Sequence, residues 1–114
     1  MSPMESGIEG RLLRVFICES DRRDGLPLTE AVVDTLRAGG IAGATVLRGV
    51  AGYGGSAILH TTHVLRLCED LPMVIEAVDS IEKIDAVMPE IQNLVGGGLI
   101  TTQKVEIHIP PAAN

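Results

Sequence analysis

Four apolar strand-like runs and two amphipathic helical stripes occur in the order β-α-β-β-α-β. That order predicts an α+β domain of the split-βαβ, ferredoxin-like pattern, a four-stranded antiparallel sheet with both helices on one face. Two further observations support it. Each helical stripe ends in a glycine cluster, and the run from Leu12 to Cys18 is apolar on both alternations. At 114 residues the chain holds one domain.

Within Leu12–Cys18, Leu13, Val15 and Ile17 share one face, and Leu12, Phe16 and Cys18 share the other. A strand of that kind is covered on both sides. The polar stretch Glu19–Gly25 reads as a loop. Pro27 fits a first helical turn, where its missing N–H costs nothing. Leu28, Ala31, Val32 and Leu36 then form one helical stripe, which Gly39-Gly40 stops. A second strand is expected at Ala44–Ala51. The glycine-rich Gly52–Ser56 cannot continue it, and the stretch to His63 reads as a mobile loop. Val64–Leu67 resumes strand character, and Met73–Val78 is a strong strand beyond Pro72. Ser80 is an N-cap for a helix carrying Ile81, Ile84, Met88, Ile91 and Val95. Pro89 should kink this helix or start a new turn, and Gly96-Gly97-Gly98 ends it. The last strand, Leu99–Ile109, alternates Val105, Ile107 and Ile109 against Lys104, Glu106 and His108.

Two helices cover one sheet face. The strands nevertheless carry apolar residues on both alternations, and the chain has no element left to cover the second face. Self-association is the economical solution. Residues 1–10 read as a disordered segment, with Ile8-Glu9-Gly10-Arg11 resembling a protease-cleavage linker. The domain is expected over 11–109, with 110–114 as a tail.

Composition removes several function classes. Nine Lys+Arg against fifteen Asp+Glu give a net charge of −6, the wrong sign for phosphate-backbone neutralisation. Phe16 and Tyr53 are the only aromatics, too few for a base-stacking platform. No run is long and apolar enough for a membrane helix, and no secretory signal pattern is present, so a cytoplasmic protein is expected. Cys18 and Cys68, fifty residues apart without a CxxC, read as reduced thiols.

Several runs carry a family resemblance. Gly40-Ile41-Ala42-Gly43-Ala44-Thr45-Val46, followed by Gly52-Tyr53-Gly54, resembles the second strand and T-loop base of PII signalling proteins. Asp70–Glu76 is similar to their third strand, and Gly96–Ile100 to their glycine-rich loop. More closely, Ala42–Gly52, Gly54-Gly55-Ser56, Ile58–Thr61 and Leu65–Pro72 resemble the PII-like family DUF190. The likeness covers about residues 11–109. It implies a homotrimer with nucleotide clefts between subunits, and no enzyme activity. It also implies a flexible loop, here 53–63, that docks on a membrane transporter or an enzyme. Adenine nucleotides are the ligands it suggests, with AMP, ADP or cyclic AMP fitting best. Leu99 stands where PII proteins have a phosphate-binding lysine, and their paired arginines near the end of the last strand are missing. Both departures point away from a tightly held triphosphate.

The candidate ligand residues follow. Gly52, Tyr53, Gly54, Gly55 and Ser56 form one backbone cradle, and Gly96, Gly97 and Gly98 a second. Thr45 corresponds to a nucleotide-contacting threonine of PII proteins, and as a residue type it is also an ordinary strand residue. Arg48, Arg66 and Lys104 are the cations available to a phosphate. A second reading is a metal-binding trimer like the copper-tolerance proteins of the same fold, using His60, His63 and Cys68. No nucleophile motif or carboxylate pair marks a catalytic centre.

Overall fold

The computed structural model describes residues 7–52 and 71–111. Its elements are β1 (Ile8–Cys18), β2 (Arg22–Arg23), β3 (Leu26–Pro27), α1 (Leu28–Ala38), β4 (Thr45–Arg48), β5 (Pro72–Asp79), α2 (Ile81–Val95) and β6 (Leu99–Ile107). The main sheet is antiparallel in the order β4-β5-β1-β6. This is the predicted α+β, ferredoxin-like arrangement.

The strand β1 is central, and its alternation organises the molecule. Leu13, Val15 and Ile17 are buried beneath the helices. Register places Ala77, Ile75 and Met73 of β5 beside them. Val32 and Leu36 of α1, with Ile84, Ile91 and Val95 of α2, close the core from above. Burying such a side chain contributes about 1.5–3 kcal/mol, so a dozen of them account for the cohesion of the layer pair. Both stripes follow the spacings in the sequence. Ser80 caps α2, its side chain accepting a hydrogen bond from the Lys83 N–H at 3.2 Å. The helix runs through Pro89 as one element.

Three expectations are corrected. The strand β1 begins at Ile8, four residues before the expected start at Leu12. Ile8, Glu9 and Gly10 pair with Ile107, Glu106 and Val105 of β6. The stretch expected as a plain loop contains the β2–β3 hairpin, with Asp24 (φ 53°) and Gly25 (φ 82°) at its turn. Two successive residues of positive φ twist in the sense that matches paired strands, which is why Asp-Gly favours tight hairpins. Cys18 is disulfide-bonded rather than a reduced thiol. The strand expected at Val64–Leu67 lies outside the described residues.

The second sheet face is open. Opposite to the buried set, Leu12, Arg14 and Phe16 of β1 share this face with Val74, Glu76 and Val78 of β5. Leu47 of β4 and Leu99 of β6 flank them. Leu47, Val78 and Leu99 are 47%, 40% and 53% exposed. Among the described residues nothing from the chain packs over them.

At one end of the sheet, the residues leading into β4 are tied to the β5–α2 junction. The Asp79 carboxylate accepts hydrogen bonds from the Ser80 N–H at 2.7 Å and the Ala42 N–H at 2.9 Å. Lys83 Nζ donates to Gly40 O at 3.2 Å. The two N–H groups, that of Ser80 foremost, hold the Asp79 carboxyl below its ordinary value. A lowered folded-state pKa means the contribution is present above the unfolded pKa and is lost as pH falls through the folded one. It amounts to about 1 kcal/mol, since solvent reaches the group. Asp79→Ala should therefore lower the urea midpoint near neutral pH. It should also leave a smaller further loss below about pH 4 than wild type shows. Equal acid sensitivity in the two proteins would contradict this role.

Candidate functional site

The opposite end of the sheet gathers most of the described candidate residues. Here β1 and β4 finish while β5 and β6 begin. Cys18 pairs with Pro72, Arg48 with Met73, and Phe16 with Leu99. Residues 52 and 71, the described positions that bracket residues 53–70, belong to this end.

Backbone bonds fix the two stems. The Gly49 N–H donates to Pro72 O at 2.8 Å, and the Glu19 N–H donates to Leu71 O at 3.0 Å. A Cβ at Gly49 would meet Pro72 Cγ at 2.7 Å, and one at Gly52 would meet it at 3.2 Å. These glycines let the chain after β4 lie against the Pro72 ring. They also shorten the strand expected at Ala44–Ala51, which ends at Arg48.

The glycine triplet packs onto the same end. Gly96 takes φ +60° to stop α2, and its N–H donates to Gln92 O. The Gly98 N–H donates to Val95 O, and a Cβ there would lie 2.7 Å from Phe16 O and 2.6 Å from Val95 Cγ1. Two of the three glycines thus serve the turn and its close approach to β1. Their N–H groups are engaged, which narrows the expected cradle to the exposed Gly97 between them.

Two of the candidate cations lie among the described residues. Arg48 Nη2 forms an ion pair with Glu19 Oε2, so the phosphate candidate already holds a carboxylate. Lys104 pairs across the sheet with Arg11, whereas Leu99 pairs with Phe16. The separation is 104 − 99 = 5 residues of strand, about 17 Å. Within one chain Lys104 therefore stands at the far end. Thr45 lies on the open face, opposite Glu76. Tyr53, Gly54, Gly55, Ser56 and Arg66 lie outside the described residues, as do His60, His63 and Cys68 of the metal reading. Among the described residues no group of three or more His, Cys, Asp or Glu could hold a metal ion. Among them too, no helix is long and apolar enough to cross a membrane.

The sequence reading passed over three residues of this end. Glu19 holds Arg48. The Asp21 carboxylate accepts from the Cys18 N–H at 2.8 Å and closes the turn after β1. Arg23 Nη1 donates to Asn93 O at 3.1 Å and Leu94 O at 3.3 Å, answering the last carbonyls of α2 from the β2–β3 hairpin. The Asp24-Gly25 dipeptide was the available signal for that hairpin.

Known proteins share this architecture. The DUF190 family, described as an uncharacterized ACR, matches over residues 10–107. A UPF0166 protein of Aquifex aeolicus is 34% identical over 100 residues, covering 88% of this chain and 94% of that protein. CPII of Thiomonas intermedia K12, a nitrogen regulatory PII-like protein solved with ADP, AMP and bicarbonate, superposes with a TM-score of 0.65. It is 16% identical, with 90% of this chain and 92% of that chain covered. The GlnK–ATP complex of B. subtilis gives a TM-score of 0.52 at 14% identity, covering 85% and 82%.

The triplet geometry is testable by itself. Gly98→Ala sets a methyl against the Phe16 carbonyl and should cost about 1–3 kcal/mol, lowering Tm by several degrees. An unchanged Tm would contradict the close approach.

Proposed function

The chain belongs to the DUF190 family of PII-like proteins, and from that premise we propose that it is a sensor without catalytic activity. It binds an adenine nucleotide or a related small anion in clefts between the subunits of a homotrimer. Occupancy resets residues 53–63, which dock on a membrane transporter or an enzyme.

One observation carries the reading. Arg48, Gly49 and Gly52 at one edge of the sheet and the Gly96–Gly98 turn at the other lie at the same sheet end, where residues 52 and 71 bracket residues 53–70. A ligand held between neighbouring subunits at this end would meet backbone at Gly52 of one and Gly97 of the next, beside the stems at Gly49 and Leu71. Ordering of a segment by a bound anion is an established way to switch a docking surface. The apolar residues of the open face support the assembly, because Leu47, Val78 and Leu99 stand half-exposed on one side of the sheet. In a homotrimer, Thr45 and Lys104 reach a ligand from a neighbouring subunit. CPII, similar in fold, is itself a nucleotide-bound PII-like protein.

Charge sets the preferred ligand. The chain is acidic overall, and Arg48 must be shared with Glu19. A monophosphate, diphosphate or cyclic phosphate suits one shared guanidinium better than a triphosphate. Calorimetry with AMP, ADP, ATP, cyclic AMP and bicarbonate tests this. Binding of at least one adenine nucleotide is expected, with ATP the weaker. Arg48→Ala should weaken it, and Glu19→Gln should tighten it about two- to five-fold, the range for an exposed ion pair. Silence from every nucleotide, with the protein folded, would overturn the nucleotide reading.

A further inference from the structure

We infer that the Arg14–Glu76 ion pair is the register element through which copies of this chain recognise one another across their open sheet faces. The inference deepens the homotrimer reading and rests on it. It assigns the specificity of assembly to a definite pair of charges.

The register arranges the open face in rows running across the strands. One row is Leu47, Val74, Phe16 and Leu99, apolar throughout. The next is Thr45, Glu76, Arg14 and Thr101, polar throughout. Beyond it lie Val78, Leu12 and Gln103. A single charged row is thus set between one row that is apolar throughout and one that is apolar apart from Gln103. Arg14 Nε donates to Glu76 Oε2 at 2.7 Å, and the Glu76 side chain is 28% exposed even in the isolated chain.

Apolar rows supply attraction without position. Two such surfaces can slide, rotate or stack further copies, much as flat sheets do. A charged pair inside the contact removes that freedom. Its desolvation is unfavourable unless the opposing surface returns hydrogen bonds and opposite charge at the same place. One alignment satisfies it, and sliding leaves a buried charge unanswered. Buried polar groups in coiled coils select oligomer and register in this way, at some loss of stability.

The charges also identify the occupant. The row carries one cation and one anion with a hydroxyl at each end, and so has no net charge. It complements another copy of itself, where Arg14 of one subunit meets Glu76 of the next. A strongly acidic or basic partner gains nothing from such a row. The apolar rows on either side continue the contact, as a subunit interface requires.

The test uses the full-length chain in four variants beside wild type: Arg14→Glu, Glu76→Arg, the double exchange, and Arg14→Leu with Glu76→Leu. Native mass spectrometry and light scattering read the species, and circular dichroism checks folding. Wild type should give one species at three times the 12.0 kDa chain mass. Each single reversal places two like charges together and should raise the dissociation concentration at least about ten-fold. The double exchange should restore one species, and circular dichroism must show the single reversals folded, because each reversal also breaks the pair within its own subunit. The leucine pair should still associate, but as a mixture of sizes, because attraction remains while register is lost. If wild type is trimeric and the single reversals dissociate as it does, the inference falls and the trimer stands. A leucine pair that stays a single trimer also overturns it. A monomeric wild type overturns both.

Discussion

Two helices can cover one face of a four-stranded sheet and no more. This constraint governs most of what the molecule shows. On β1, Leu13, Val15 and Ile17 are sealed beneath α1 and α2, while Leu12 and Phe16 on the alternate positions face away from both helices. The chain carries apolar residues on the second set as well, with Val74 and Val78 of β5 beside Leu12 and Phe16. Gly10 fits the same picture. A Cβ there would meet Ile107 Cδ1 at 2.3 Å, so β1 and the end of β6 pack closely on that open side.

The two ends of the sheet are built for different work. At the Asp79 end, a carboxylate and Lys83 fasten the residues before β4 to the start of α2. At the other end the fastenings are backbone bonds from Gly49 and Glu19 to the start of β5. Among the described residues there, Arg48 and Glu19 form an ion pair, while Asp21 and Arg23 bond to backbone groups. Glu19 is also bonded through its backbone to the stem at Leu71, so the ion pair and the stem share one residue.

Much of the fold was legible because it rests on local periodicity. The stripe Leu28, Ala31, Val32, Leu36 and the Ser80 cap define both helices, and the two-sided apolar pattern of β1 marks it as central. What escaped depends on pairing between distant residues. The Ile8–Arg11 run looks like a linker until Ile107 and Glu106 are seen to pair with it. The place of Lys104 opposite Arg11, five residues along the strand from Leu99, also depends on strand register. Glu19 was invisible as a partner of Arg48, since 29 residues separate them. The close approach of Gly98 to the Phe16 carbonyl, which leaves no room for a Cβ, likewise depends on a contact between distant residues. The Arg22–Pro27 hairpin was missed because its strands are two residues each and lack apolar alternation.

Sedimentation equilibrium of the wild-type chain at micromolar concentration tests the central claim most directly. A single species at three times 12.0 kDa, unchanged on moderate dilution, is the predicted result. A stable species at 12.0 kDa, with the sheet face left open to water, would contradict the account.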